Sequence, residues 1–125
     1  MKIYVRKIFP HDVTHEVSVR KDIVHSFFEG NCQNLNFIGK KSKTKGIVTI
    51  NSATDPRFGG FFKKLLLDEG RANINDILLI TKIDASNYEL EIVKPKDKRY
   101  FALMVIFKEK TRHAFLESTD YFDKF

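Results

Sequence analysis

Tryptophan does not occur in this chain, cysteine occurs once and proline three times in 125 residues. The lone Cys32 excludes an internal disulfide and a zinc cage built of thiolates, and makes a reducing, cytoplasmic setting the expectation. Long apolar runs are also missing. The longest, Phe101 to Phe107, is far too short to cross a bilayer, so no membrane partner is expected. No charged-then-apolar leader opens the chain, so no signal peptide is expected. No glycine-rich loop ending in Lys-Ser or Lys-Thr is present to cradle a phosphate, and no Ser or Cys arrangement suggests a nucleophile. The chain is therefore expected to need no cofactor and to catalyse nothing by itself.

What is present suits a single globular domain with a real core: 42% of the residues are apolar, and 12 are phenylalanine. The net charge is +6 and the pI about 9.4, which favours a polyanionic partner. Residues 1–70 hold 12 Lys and Arg against 7 Asp and Glu, whereas residues 71–125 hold 10 against 9. The excess therefore lies in the first half. A solubilising lysine-rich surface would give the same numbers.

Patterning divides the chain into short strands and two short helices. Lys2 to Phe9 reads as a strand, Pro10 to His15 as a polar loop and His15 to Val19 as a second short strand. Ile23, Val24, Phe27 and Phe28 form one apolar stripe on a helix that Gly30 closes. Leu35 to Ile38 is a strand, and Gly39 to Lys45 a basic, mobile loop. Gly59-Gly60 allows a sharp turn. The stripe recurs at Phe61, Phe62, Leu65 and Leu66, on a helix from Phe61 to Leu67. Ile77 to Ile80 and the alternating Tyr88 to Val93 are strands. Tyr100 to Phe107 reads as the most apolar strand, central in its sheet. Ala114, Phe115 and Leu116 fit a last strand or a helix. These elements predict a mostly β fold with two short helices, a small and largely antiparallel barrel. The domain is expected over residues 1–110, with 111–125 a last strand or a C-terminal tail.

The most informative stretch is Gly46-Ile-Val-Thr-Ile-Asn-Ser-Ala-Thr-Asp-Pro-Arg-Phe58. It begins as an apolar β-branched strand and ends in a cluster of short polar side chains and one arginine. Such a strand end displays hydrogen-bonding groups to a partner; an ordinary Thr-Asp-Pro-Arg turn is the alternative. The loop after the first strand has the same character. Its His11, Asp12 and His15 are metal-ligand types, but they are three with no fourth in view. Asp84, Glu91 and Lys94 are a diluted version of a metal-nuclease set, and a solvated strand face explains them better.

At this point a family comes into view. Tyr4-Val-Arg-Lys-Ile-Phe-Pro-His-Asp-Val-Thr-His-Glu-Val-Ser-Val19, followed by Ile23-Val-His-Ser-Phe-Phe28, resembles the N-terminal effector-binding domain of the restriction enzyme EcoRII. Asn51-Ser52 with Arg57-Phe58 resembles that domain's second arm. Asn75-Asp76-Ile-Leu-Leu-Ile80 with Tyr88-Glu-Leu-Glu-Ile-Val93 resembles the closing strands of the B-three family, the DNA-binding pseudobarrel of plant transcription factors, EcoRII and the BfiI C-terminal domain. Asn75 stands where that family usually has glycine. The chain also looks like the N-terminal specificity domain of McrB-type, LlaJI-like, GTP-driven restriction subunits.

The resemblance implies a seven-stranded open pseudobarrel that binds double-stranded DNA site-specifically. An N-arm (Arg6 to His15) and a C-arm (Asn51 to Phe58) would grip the major groove. Motor and nuclease would lie on other segments or chains of the restriction complex. Carried over, Arg57, Asn51, Ser52, Thr54, Asp55, His11 and Asp12 are the expected base contacts. Arg6, Lys7, His15, Lys41, Lys43 and Lys45 are the expected phosphate contacts. Two other functions fit the same residues. One is a pseudobarrel that binds RNA or a modified base, with Phe9, Phe58 and Tyr100 as stacking candidates. The other is a protein-interaction domain.

Overall fold

A computed structural model describes residues 2–51, 55–107 and 113–116. Seven strands form one curled sheet in the order β4-β3-β2-β6-β5-β1-β7, an open half-barrel. The strands are β1 (Ile3–Lys7), β2 (Leu35–Gly39), β3 (Lys45–Asn51), β4 (Arg57–Gly60), β5 (Ile77–Lys82), β6 (Asn87–Val93) and β7 (His113–Leu116). Every neighbouring pair is antiparallel except β2 and β6, which run parallel with Phe37 opposite Tyr88. The helices are α1 (Pro10–Thr14), α2 (Lys21–Ser26), α3 (Phe62–Glu69) and α4 (Tyr100–Ile106).

The concave face of the sheet closes over the larger core. Alternate residues of the strands point inward, and both predicted stripes complete it: Ile23, Val24, Phe27 and Phe28 from α2 and its end, Phe62, Leu65 and Leu66 from α3. Aromatic rings knit it together. Phe58 stacks on Phe62 at 4.2 Å, and Phe37 on Tyr88 at 5.3 Å. Of the three stacking candidates, Phe58 and Tyr100 are buried and Phe9 is half-buried.

Four expectations are corrected. The run from Tyr100 to Phe107 is helical, not a central strand. It lacks period-2 alternation and carries Ala, Leu and Met, which favour helix. Asp97 starts it by accepting the Arg99 backbone N–H at 2.9 Å. The helix lies on the convex face, where Tyr100 and Leu103 build a second core with Ile3, Val5, Ile77, Leu79 and Val93. The expected loop after β1 contains the one-turn helix α1. The expected strand from His15 to Val19 contributes only a bridge, Ser18 to Arg57, along the outer edge of β4. Gly59 and Gly60 lie in β4 rather than in a turn. Gly60 has φ 62°, and a side chain there would press on the Ile47 carbonyl oxygen at 2.9 Å.

At the C-terminal end, β7 pairs with β1 on its free edge, Ile3 opposite Leu116. The sheet thus extends past residue 110. Asn75 adopts φ 76°, a left-handed conformation that asparagine tolerates better than most residues.

Candidate nucleic-acid interface

The chain after β1 and the residues leading into β4, 55–56, meet beside the edge of the sheet. Phe58 N–H donates to the Val17 carbonyl at 2.9 Å, and Val19 N–H to the Pro56 carbonyl at 2.8 Å. These bonds lay residues 17–19 against β4 and bring the two arms together. Arg57 stands at the junction. Its Nη2 donates to Asp55 Oδ2 at 2.6 Å, and its Nη1 donates to the Glu16 carbonyl at 3.1 Å and reaches His11 Nε2 at 3.5 Å. The side chain is only a quarter exposed, so the guanidinium is held in a fixed direction.

His11 on α1 and His15 at its C-cap stack their rings at 4.1 Å with a 6° interplanar angle. Both are exposed, as are Asp55 and Asn51, the last residue of β3. Lys7, half-buried, places its ammonium 5.8 Å from the centre of the Phe9 ring. Ser52 and Thr54 lie outside the described residues.

Arg6 and Asp12 are corrected. Both are buried and neither is displayed to a partner. Arg6 Nη2 donates to Asp12 Oδ1 at 2.7 Å and to Ser18 Oγ at 2.9 Å; its other nitrogens donate to the Lys7 and Ser18 carbonyls. The second oxygen of Asp12 accepts the Phe9 backbone N–H at 2.8 Å. One buried ion pair therefore fixes the start of α1, closes the N-arm onto β1 and ties it to Ser18. The sequence signal, an arginine at an inward position of an apolar strand, reads as clearly for this role as for a phosphate contact.

The basic segment is corrected as well: it is a docked hairpin, not a mobile loop. Glu69, at the end of α3 and buried, accepts the Lys41 and Ser42 backbone N–H groups at 3.0 Å each, and Asp68 accepts the Thr44 hydroxyl. Lys41, Lys43 and Lys45 therefore stand at the other end of β3 from Asn51, about 20 Å away at the rise of an extended strand. The arms gather one subset of the expected residues, and the hairpin gathers another.

Beside the hairpin, Arg99 donates to Glu91 at 2.9 and 2.6 Å and to Asp97 at 2.7 Å, and Lys40 lies 3.4 Å from Glu91. Arg99 holds Asp97 well below the ordinary carboxylate range, at about 2. Burial works against the Glu91 carboxylate, but the Arg99 hydrogen bonds and charge, with Lys40, keep its pKa depressed. The nuclease-like trio is not assembled. Asp84 accepts turn N–H groups from Ser86 and Asn87, Lys94 bonds Asp76, and Glu91 serves Arg99. Among the described residues, no group of three or more His, Cys, Asp and Glu side chains could hold a metal ion, and no helix is long and apolar enough to span a membrane.

No family model and no curated protein matches the chain. Among solved structures, the fold is similar to the N-terminal domain of Helicobacter pylori LlaJI.R1, with a TM-score of 0.85 and 32% sequence identity. The match covers 94% of this chain and 99% of that one. At that identity and coverage, the chain belongs to the family of LlaJI-like N-terminal domains.

Proposed function

We propose that this domain is the target-recognition module of a cytoplasmic restriction system, reading a short double-stranded DNA site in the major groove and itself catalysing nothing. The family ties the chain to restriction systems. The observation that carries the DNA reading is the junction of the two arms at Arg57, which binds Asp55 on its own arm and the Glu16 carbonyl on the other. An arginine fork held in one direction is matched to guanine O6 and N7. Asp55 and the Glu16 carbonyl aim it and are released or kept as the base arrives.

Around that fork the remaining roles follow from chemistry. Asn51 suits adenine N6 and N7, Asp55 and His11 can meet base edges beside Arg57, and Ser52 and Thr54 complete the C-arm. Lys7 and His15 flank the junction and suit phosphate. Motor and nuclease functions belong to other segments or chains assembled with this one. The test is enrichment from a randomised duplex library at near-physiological salt, repeated with methylated libraries. A short enriched motif is expected. Binding without enrichment would reject site-specific reading, and binding only to methylated libraries would replace it with a modified-base reader.

A further inference from the structure

The charge on this domain is not where the arms are. Within the arms Arg6 is neutralised by Asp12 and Arg57 by Asp55, which leaves Lys7 as the one remaining Lys or Arg charge. The cationic excess is gathered instead on the β2–β3 hairpin and on the turn between β6 and α4. The Glu91–Arg99 pair, with Lys40 reaching Glu91, joins these two turns into one surface. Its acids are spent internally. Glu91 and Asp97 face Arg99, Glu69 caps the hairpin amides, and Asp68 takes Lys64 and the Thr44 hydroxyl. Lys41, Lys43, Lys45, Lys96 and Lys98 are exposed, with no ion-pair partner within 4 Å among the described residues. Five such lysines on two adjoining turns make a concentrated positive patch. Lys43 also has φ 60°, a left-handed turn position ordinarily given to glycine or asparagine. The turn keeps a lysine there against its backbone preference.

We infer that the hairpin and the Pro95–Arg99 turn form a second nucleic-acid face, a sequence-independent grip on duplex phosphate separate from the base-reading junction. This rests on the DNA-binding reading above and divides its labour: the near-neutral arms supply choice of sequence, and the lysine face supplies affinity and its salt dependence. Lys96 and Lys98, in the basic run Lys94-Pro-Lys-Asp-Lys-Arg99, join the phosphate contacts. A separation of about 20 Å along β3 lets the face hold either the DNA flanking the bound site or a second duplex.

The experiment measures binding of a random-sequence 40-base-pair duplex, by anisotropy, between 50 and 300 mM salt. Wild type is compared with the quadruple variant Lys41→Gln, Lys43→Gln, Lys96→Gln, Lys98→Gln and with Arg57→Ala. None of the four lysines holds an ion pair, so folding is expected to persist, and circular dichroism checks it. The quadruple variant is expected to lose at least about tenfold in affinity at 100 mM salt, and its salt slope to fall by roughly 0.9 per contact removed. Arg57→Ala is expected to retain most of its binding to random DNA. A wild-type slope in a folded quadruple variant overturns the second face while leaving the arms intact. Failure of wild type to bind any duplex overturns both. Repeating the comparison on a 12-base-pair duplex, and testing whether wild type retains a labelled second duplex on immobilised DNA, separates flanking DNA from a bridged duplex.

Discussion

At the scale of single residues, two arginines that look alike in sequence do opposite things. Arg6 is sealed, and every contact it makes is to its own chain. Removing Asp12 would leave its guanidinium buried and unpaired. Asp12→Ala is therefore expected to cost about 3–5 kcal/mol of stability, read from urea unfolding, and to unseat the N-arm. A loss under 1 kcal/mol would mean the pair is dispensable. Arg57 is partly exposed, and its partners are an exposed carboxylate and a backbone carbonyl. Asp55→Ala is expected to leave stability within about 0.5 kcal/mol, because an exposed pair contributes little. It should nonetheless loosen discrimination between DNA sites, since the fork loses its aim. Unchanged discrimination in a competition assay would argue that Asp55 does not orient Arg57.

At the scale of elements, the Glu91–Arg99–Asp97 cluster anchors the turn before α4 and touches the hairpin through Lys40. Arg99→Ala strands the largely buried Glu91 with only Lys40 nearby, and a loss of about 3 kcal/mol is expected. The cluster also sets a pH dependence. Asp97 and Glu91 are depressed in the fold, so their contribution is complete above the ordinary carboxylate range. It is lost as pH falls through the folded-state values, for Asp97 from 3.8 toward about 2. Wild-type stability should decline over that acid window more steeply than that of Arg99→Ala. Parallel acid profiles for the two proteins would contradict the assignment.

These elements also explain what could be read in the sequence. The α2 and α3 stripes and strands β2, β3 and the start of β6 were legible because each buries one face and its period records that fact, whereas β1 and β5, buried on both faces, were legible as short continuous apolar runs. The segment from Tyr100 to Phe107 was not. It is apolar on its exposed side too, where Phe101 is 76% and Val105 73% exposed, so no period distinguishes helix from strand. The arms were legible as polar interruptions. The burial of Arg6 and Asp12 was not, because an ion pair six residues apart leaves no periodic trace.

At the scale of the whole molecule, the half-barrel supplies a rigid frame with two different surfaces. Its closed edge, where residues 17–19 lie along β4, carries a directed hydrogen-bonding fork and little net charge. The hairpin and the turn before α4 carry charge and little directional chemistry. The uneven charge of the first seventy residues pointed to the arms in sequence, yet in space it belongs largely to the hairpin, because β3 separates the two by its full length. On the proposed reading, that separation would make affinity for DNA and choice of sequence independently adjustable.

The measurement that tests the central claim most directly is competition between an enriched site and a scrambled duplex of the same length, for wild type and Arg57→Ala. The account predicts that Arg57→Ala lowers the preference for the enriched site by about 5- to 150-fold, the value of a bidentate arginine–guanine pair, while binding to the scrambled duplex changes little. Equal losses on both duplexes would place Arg57 among the phosphate contacts and contradict the account.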